Sequence, residues 1–158
     1  MTNEPETPQP DDDPFTWFPP GTKKLLTITL VAGLVTLAVQ LFPFNFQGET
    51  DDSLLAIEKT GALIVLFNMA LFLPVGFLEG WIAHNIFGCH AWVIFLVVLD
   101  LVLLAFIGET GQLWLPDRYS SLIDLIANTI GGTAAAIVAD YCAPALNARF
   151  ISDKDVDD

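Results

Sequence analysis

The chain has 158 residues, of which 53% are hydrophobic and only 16% charged, and its mean hydropathy is +0.56. Soluble domains of this size balance apolar and charged residues more evenly, so the composition excludes an ordinary water-soluble fold. A formal net charge of -13 with only six Lys and Arg excludes a nucleic-acid binder, which needs a basic patch to meet phosphates.

The charge is concentrated at the ends. Glu4, Glu6, Asp11, Asp12 and Asp13 precede the apolar region, and Asp153, Asp155, Asp157 and Asp158 follow it. Residues 1–21 and 147–158 therefore read as disordered acidic tails, with their solvation as the simplest account. Residues 22–146 read as one transmembrane domain. Cys89 and Cys142 are too few for a disulfide framework. His84, Cys89 and His90 lie close in sequence, but at irregular spacing and with no carboxylate among them. They read as an interfacial turn, and the sequence calls for no metal and no cofactor.

Four stretches suit a bilayer core, which takes about 20 apolar residues as helix. They run at about Leu25–Phe42, Ala62–Ala83 (with Pro74 inside), Ala91–Ile107 and Leu122–Ala143. Backbone groups in lipid must be paired within their own segment, so helices are the expected form. The fold class expected is all-α, a polytopic four-helix membrane bundle whose first partner is the lipid bilayer. The first stretch follows a long acidic region and has no small-residue cleavage site after it, so it reads as a retained anchor.

Lys23 and Lys24 precede the first span, and Arg149 and Lys154 follow the last, whereas Lys59 and Arg118 stand singly in the first and third connections. The excess of basic residues places both termini in the cytoplasm and those two connections outside. Trp17, Trp81, Trp92 and Tyr141 then fall near the inner boundary, and Phe44, Phe46, Trp114 and Tyr119 near the outer.

Polar side chains inside spans are costly, so their positions are informative. Glu109 and Gln112 close the third span, Pro116, Asp117 and Arg118 form the turn, and Asp124 and Asn128 lie four apart on one face of the fourth. Gly131, Gly132 and Ala135 extend that face, which suits helix packing. Asn68 enters the bilayer from the same side, and a kink at Pro74 is expected to open a polar crevice among helices 2, 3 and 4. Two readings stay open. Arg118 holds an anionic group with Glu109 or Asp124 as acid or base, or the same residues form an ion-pair cluster that locks the outer connection. Asp100, in the middle of the third span, reads as a lone carboxyl that is protonated or bonded to a neighbouring helix.

These residues resemble the VanZ-like membrane proteins. Pro43-Phe44-Asn45-Phe46 is similar to the aromatic segment after the family's first helix, and Asn68, Phe72, Pro74, Gly76 and Phe77 to its second-helix pattern. The run Glu109, Gln112, Pro116, Arg118, Asp124, Asn128 and Gly131 matches in type and spacing. Asp117, Ser121 and Ala135 depart from it, where the family usually has glycine, an acidic residue and glycine. The resemblance implies a bacterial inner-membrane protein of the cell envelope, linked through the family's name to resistance to the glycopeptide teicoplanin. The ligand-binding set expected is Asn68, Glu109, Gln112, Arg118, Asp124 and Asn128, facing a lipid headgroup or cell-wall precursor. A membrane enzyme acting on a lipid-linked or acyl substrate, and a structural subunit of a larger complex, are the alternatives.

Overall fold

The computed structural model describes residues 21–47, 54–55, 61–116 and 118–151. Of the two acidic tails assigned from the sequence, residues 1–20 and 152–158 lie outside them, whereas 147–150, expected in the second tail, belong to the last helix. Four helices are found among the described residues: α1 (Thr22–Leu41), α2 (Ala62–Phe87), α3 (Ala91–Gln112) and α4 (Leu122–Phe150). All four are long and apolar enough to cross a membrane.

The helices begin close to where the apolar pattern places them, and three run further than expected. α4 has 29 residues, roughly 43 Å at the usual rise, and continues through Pro144 to Phe150 rather than ending near Ala143. Proline removes a backbone donor, but the extension is tied down from α2. The Trp81 indole N–H donates to Asn147 Oδ1 at 2.7 Å, and Asn147 Nδ2 donates to Asn85 Oδ1 at 2.6 Å. The last turn of α2 gains from the same bonds, and it runs to Phe87 instead of Ala83. α3 continues to Gln112 rather than Ile107.

The bundle is apolar outside. Leu34, Leu63 and Phe95 are 67%, 81% and 66% exposed, as suits side chains bathed in lipid. Buried inside are Glu79, Glu109, Gln112 and Asn128 beside Phe72, Val75, Val97, Leu101 and Ala136. Polar groups thus face neighbouring helices, where partners replace water.

The most extensive contact joins α2 to α4. Its basis is an absence of side chains. A Cβ on Gly76 would run into the backbone of Gly132, one on Gly80 into the backbone of Ala136, and one on Gly131 into the backbone of Met69. Small residues let two helix backbones approach this closely, and apolar lipid supplies no hydrophobic drive to replace the packing gained. α1 packs on α2 and α3 and makes no contact with α4 among the described residues.

The glycines differ in what opposes them, and this ranks their substitutions. A Cβ on Gly132 meets only the Leu101 side chain, with the nearest atom at 2.9 Å, and that side chain can yield. Gly76→Ala and Gly80→Ala are expected to cost more than Gly132→Ala, at or above the upper end of the roughly 1–3 kcal/mol typical of overpacking. Thermal unfolding of the purified variants in one detergent checks the order, with Val31→Leu on the exposed side of α1 as a neutral control.

Candidate functional site: a polar cavity at one end of the bundle

The connections after α1 and α3 meet at one end of the bundle. The chain leaves α1 through Phe42-Pro43-Phe44, where Phe44 N–H donates to Leu41 O at 2.9 Å and Phe44 takes a left-handed φ of 62°. Such a conformation costs a bulky residue about 1–3 kcal/mol, so the surrounding packing must hold it. The Phe42 and Phe44 rings stand edge to face at 6.2 Å. Gln47 N–H then donates to Trp114 O at 2.7 Å, and Leu55 N–H to Ser120 Oγ at 3.1 Å, fastening one connection to the other.

Beneath this double loop lies a cavity of about 820 Å³. Its walls are mixed. Leu63, Ile64 and Phe67 of α2, Val39 of α1 and the Phe42–Phe44 turn supply apolar surface, while Gln40, Asn68, Gln112, Arg118 and Asp124 supply polar groups. The sequence reading expected a crevice among helices 2, 3 and 4 opened by Pro74. The cavity is instead lined mainly by α1 and α2, with Gln112 of α3, Arg118 of the α3–α4 turn and Asp124 of α4 completing it. Pro74 is not part of its lining. It lines a separate apolar hollow with Leu73, Phe77, Leu78, Ala134, Ala135 and Val138.

Of the six expected binding residues, Asn68, Gln112, Arg118 and Asp124 line the cavity. Asn68 stands near the Asp124 carboxylate, whose Oδ1 is buried without a hydrogen-bond partner among the described residues. Glu109 and Asn128 are each 1% exposed and stand outside the lining. Glu109 holds the start of α4, since its Oε2 accepts the Ser121 backbone N–H at 2.8 Å. Ser121 in turn caps α4, its hydroxyl accepting from Asp124 N–H at 3.4 Å. Arg118 is exposed and acts on Glu109 electrostatically, but no ion pair joins it to Glu109 or Asp124 among the described residues. The tight ion-pair lock is therefore not the arrangement found. Arg118 stands at the cavity with its guanidinium uncommitted to either carboxylate.

Gln40 escaped the sequence reading. It is 5% exposed, neither of its amide atoms has a hydrogen-bond partner among the described residues, and it lies where a Cβ on Gly108 would be. A single glutamine in an otherwise apolar span was the signal available.

At the opposite end, Asp140 of α4 faces His84 Nδ1 at 2.7 Å and accepts a hydrogen bond from the Cys89 thiol at 3.3 Å. This bond and the charge of Asp140 push the Cys89 thiol above its usual range. His84 in the last turn of α2 and Cys89 in the connection after it thus share one carboxylate partner, which comes from α4. No group of three or more His, Cys, Asp or Glu placed to hold a metal occurs among the described residues.

The family model for VanZ/LLP1 matches residues 15–143, which takes in the cavity and every helix that shapes it. The chain belongs to the VanZ/LLP1 family. No curated protein and no solved structure matches it. Within this VanZ-family chain the residues that carried the resemblance divide by role: Asn68, Gln112, Arg118 and Asp124 around the cavity, Glu109 beneath the α4 cap, and Gly76 and Gly131 in the α2–α4 interface.

Glu109 can be tested as a holder of the loop. Glu109→Gln retains an acceptor for Ser121 N–H and is expected to be close to wild type in stability. Glu109→Ala leaves that buried donor unpaired, at a cost of about 1–3 kcal/mol. Thermal unfolding of the two variants side by side reads the difference.

Proposed function

We propose that this VanZ-family protein binds an anionic amphiphile of the bacterial envelope, a lipid headgroup or a lipid-linked cell-wall precursor, in the cavity between α1 and α2. Arg118 receives the anionic group, for which its planar fork of donors is suited. Asn68, Gln112, Asp124 and Gln40 hydrogen-bond the polar part, and Leu63, Ile64, Phe67 and the Phe42–Phe44 turn lie against the apolar part. The observation that carries the reading is the pairing of a roomy, largely apolar cavity with an arginine tied to neither nearby carboxylate. By sequestering such a component the protein lowers susceptibility to teicoplanin-type glycopeptides. It sits in the inner membrane with both termini cytoplasmic and the cavity facing outward.

Asp124 Oδ1, buried and unpartnered at the cavity wall, favours one second reading: an enzyme using Asp124 as its acid or base. Glu109 suits that role less, being outside the lining and engaged with Ser121.

Binding of a lipid-linked precursor to purified protein in lipid nanodiscs tests the proposal. Arg118→Ala is expected to weaken binding about tenfold or more, the effect of losing a hydrogen bond to a charged group, with stability unchanged. Cells expressing the variant should lose any protection from teicoplanin that the wild type confers. Wild-type binding by Arg118→Ala would overturn the assignment. A chemically altered precursor recovered only with active Asp124, and not with Asp124→Asn, would establish the enzyme instead.

The orientation is checked separately in intact cells. A cysteine at Glu49 or Asp117 is expected to react with a membrane-impermeant thiol reagent, whereas Cys89 reacts only after the membrane is opened. The reverse pattern would turn the protein over.

A further inference from the structure

Asp100 is not alone. Glu79 of α2, which the sequence reading passed over, lines the same groove, its carboxyl group close enough to that of Asp100 for the two to interact. Glu79 lies eight residues before the end of α2 at Phe87, and Asp100 nine after the start of α3 at Ala91. At 1.5 Å per residue both are roughly 12–14 Å from the α2–α3 turn, well inside the span. Glu79 is 9% exposed, its Oε2 has no hydrogen-bond partner among the described residues, and it lines a groove of about 380 Å³ walled by α1, α2 and α3. Asp100 lines the same groove and is exposed.

The groove is otherwise apolar. α1 brings Leu26, Leu30 and Gly33, with Thr29 the one hydroxyl, and that hydroxyl is already donated to Leu25 O at 2.9 Å. α3 brings Leu103, Leu104 and Ile107 besides Asp100, and α4 meets this stretch of α2 with Ala136 at Gly80. Lys23 and Lys24 belong to the first turn of α1, and the His84–Asp140 pair lies nearer the α2–α3 turn. Asp100 is the charged group that acts on Glu79.

Two bare carboxylates offer only acceptors, so a hydrogen bond between them requires a proton. Ionising both in an apolar groove sets like charges together without solvent to screen them. We propose that Glu79 and Asp100 form a proton-binding site within the membrane span, holding an exchangeable proton between their carboxyl groups at the wall of the α1–α3 groove. The site is distinct from the arginine-bearing cavity at the other end of α1, and its test does not depend on that cavity's ligand.

A lipophilic carbodiimide reads it directly. The reagent enters apolar grooves and reacts with the protonated form, the carboxylic acid adding across a C=N bond to leave an acylurea with no atom lost. The full-length protein in lipid nanodiscs, treated with dicyclohexylcarbodiimide and mapped by peptide mass spectrometry, is expected to carry an adduct on Glu79 or Asp100. The rate should fall as the pH is raised from mildly acidic to alkaline, while sodium at constant pH leaves it unchanged. Glu79→Gln supplies an amide donor to Asp100 in place of the shared proton, and is expected to abolish the adduct at that position and to slow any labelling of Asp100. The double variant Glu79→Gln/Asp100→Asn should label at neither position and keep the wild-type unfolding temperature, since amides preserve the interhelical bond. No adduct at either residue in folded wild-type protein, or one whose rate ignores pH, would overturn the site. Protection by sodium would replace the proton with a metal cation and overturn it equally.

Discussion

The bundle depends on the distance between two helix backbones. Gly76 and Gly80 let α2 lie directly on Gly132 and Ala136 of α4, and Gly131 lets α4 lie on Met69. In lipid no gain comes from merely hiding apolar side chains, so a seam of this kind must stabilise through close packing. Everything functional hangs from it. The seam sets α2 against the start of α4, which brings Asn68 to Asp124. It also aligns the far ends, where Trp81, Asn85 and His84 of α2 meet Asn147 and Asp140 of α4. One interface thereby fixes the polar chemistry at both membrane faces.

Around that seam, polar side chains divide the labour. Glu109 is spent on the Ser121 N–H, which stations the α4 cap and the loop that carries Arg118. Asp124 and Asn68 stand together at the cavity wall. The arginine is left out of these pairs. With Glu109 committed to the Ser121 N–H and no ion pair drawing Arg118 to Asp124 among the described residues, a cation stays available beside the cavity.

The sequence disclosed the spans because apolar run length is dictated by bilayer thickness, and helix starts at Ala62, Ala91 and Leu122 were legible to the residue. The ends of α2 and α4 were not, because what prolongs them is a bond between the two: Asn147 has no meaning for α4 until Trp81 and Asn85 stand opposite. The same holds within the site. Asn68, Gln112, Arg118 and Asp124 could be picked out as polar residues in apolar surroundings, but Pro74 pointed to the wrong crevice, because it lines an apolar hollow against α4 and not the cavity. Asp100 was visible and its partner was not singled out. Glu79 has the same mark of a carboxyl inside an apolar run, yet only the register of α2 against α3 shows that the two belong together.

α1 touches α2 and α3 but not α4 among the described residues, so it stands outside the glycine seam. It is also the wall that both hollows have in common, through Val39 and Gln40 at one end and Thr29 and Gly33 at the other. A partition shared by two chambers couples their occupancies if filling one of them displaces it. Whatever displaces the partition at one end alters the free energy of filling the other, and the influence has equal size in both directions. The least anchored helix is thus the one element through which an amphiphile near Arg118 and a proton between Glu79 and Asp100 would sense each other.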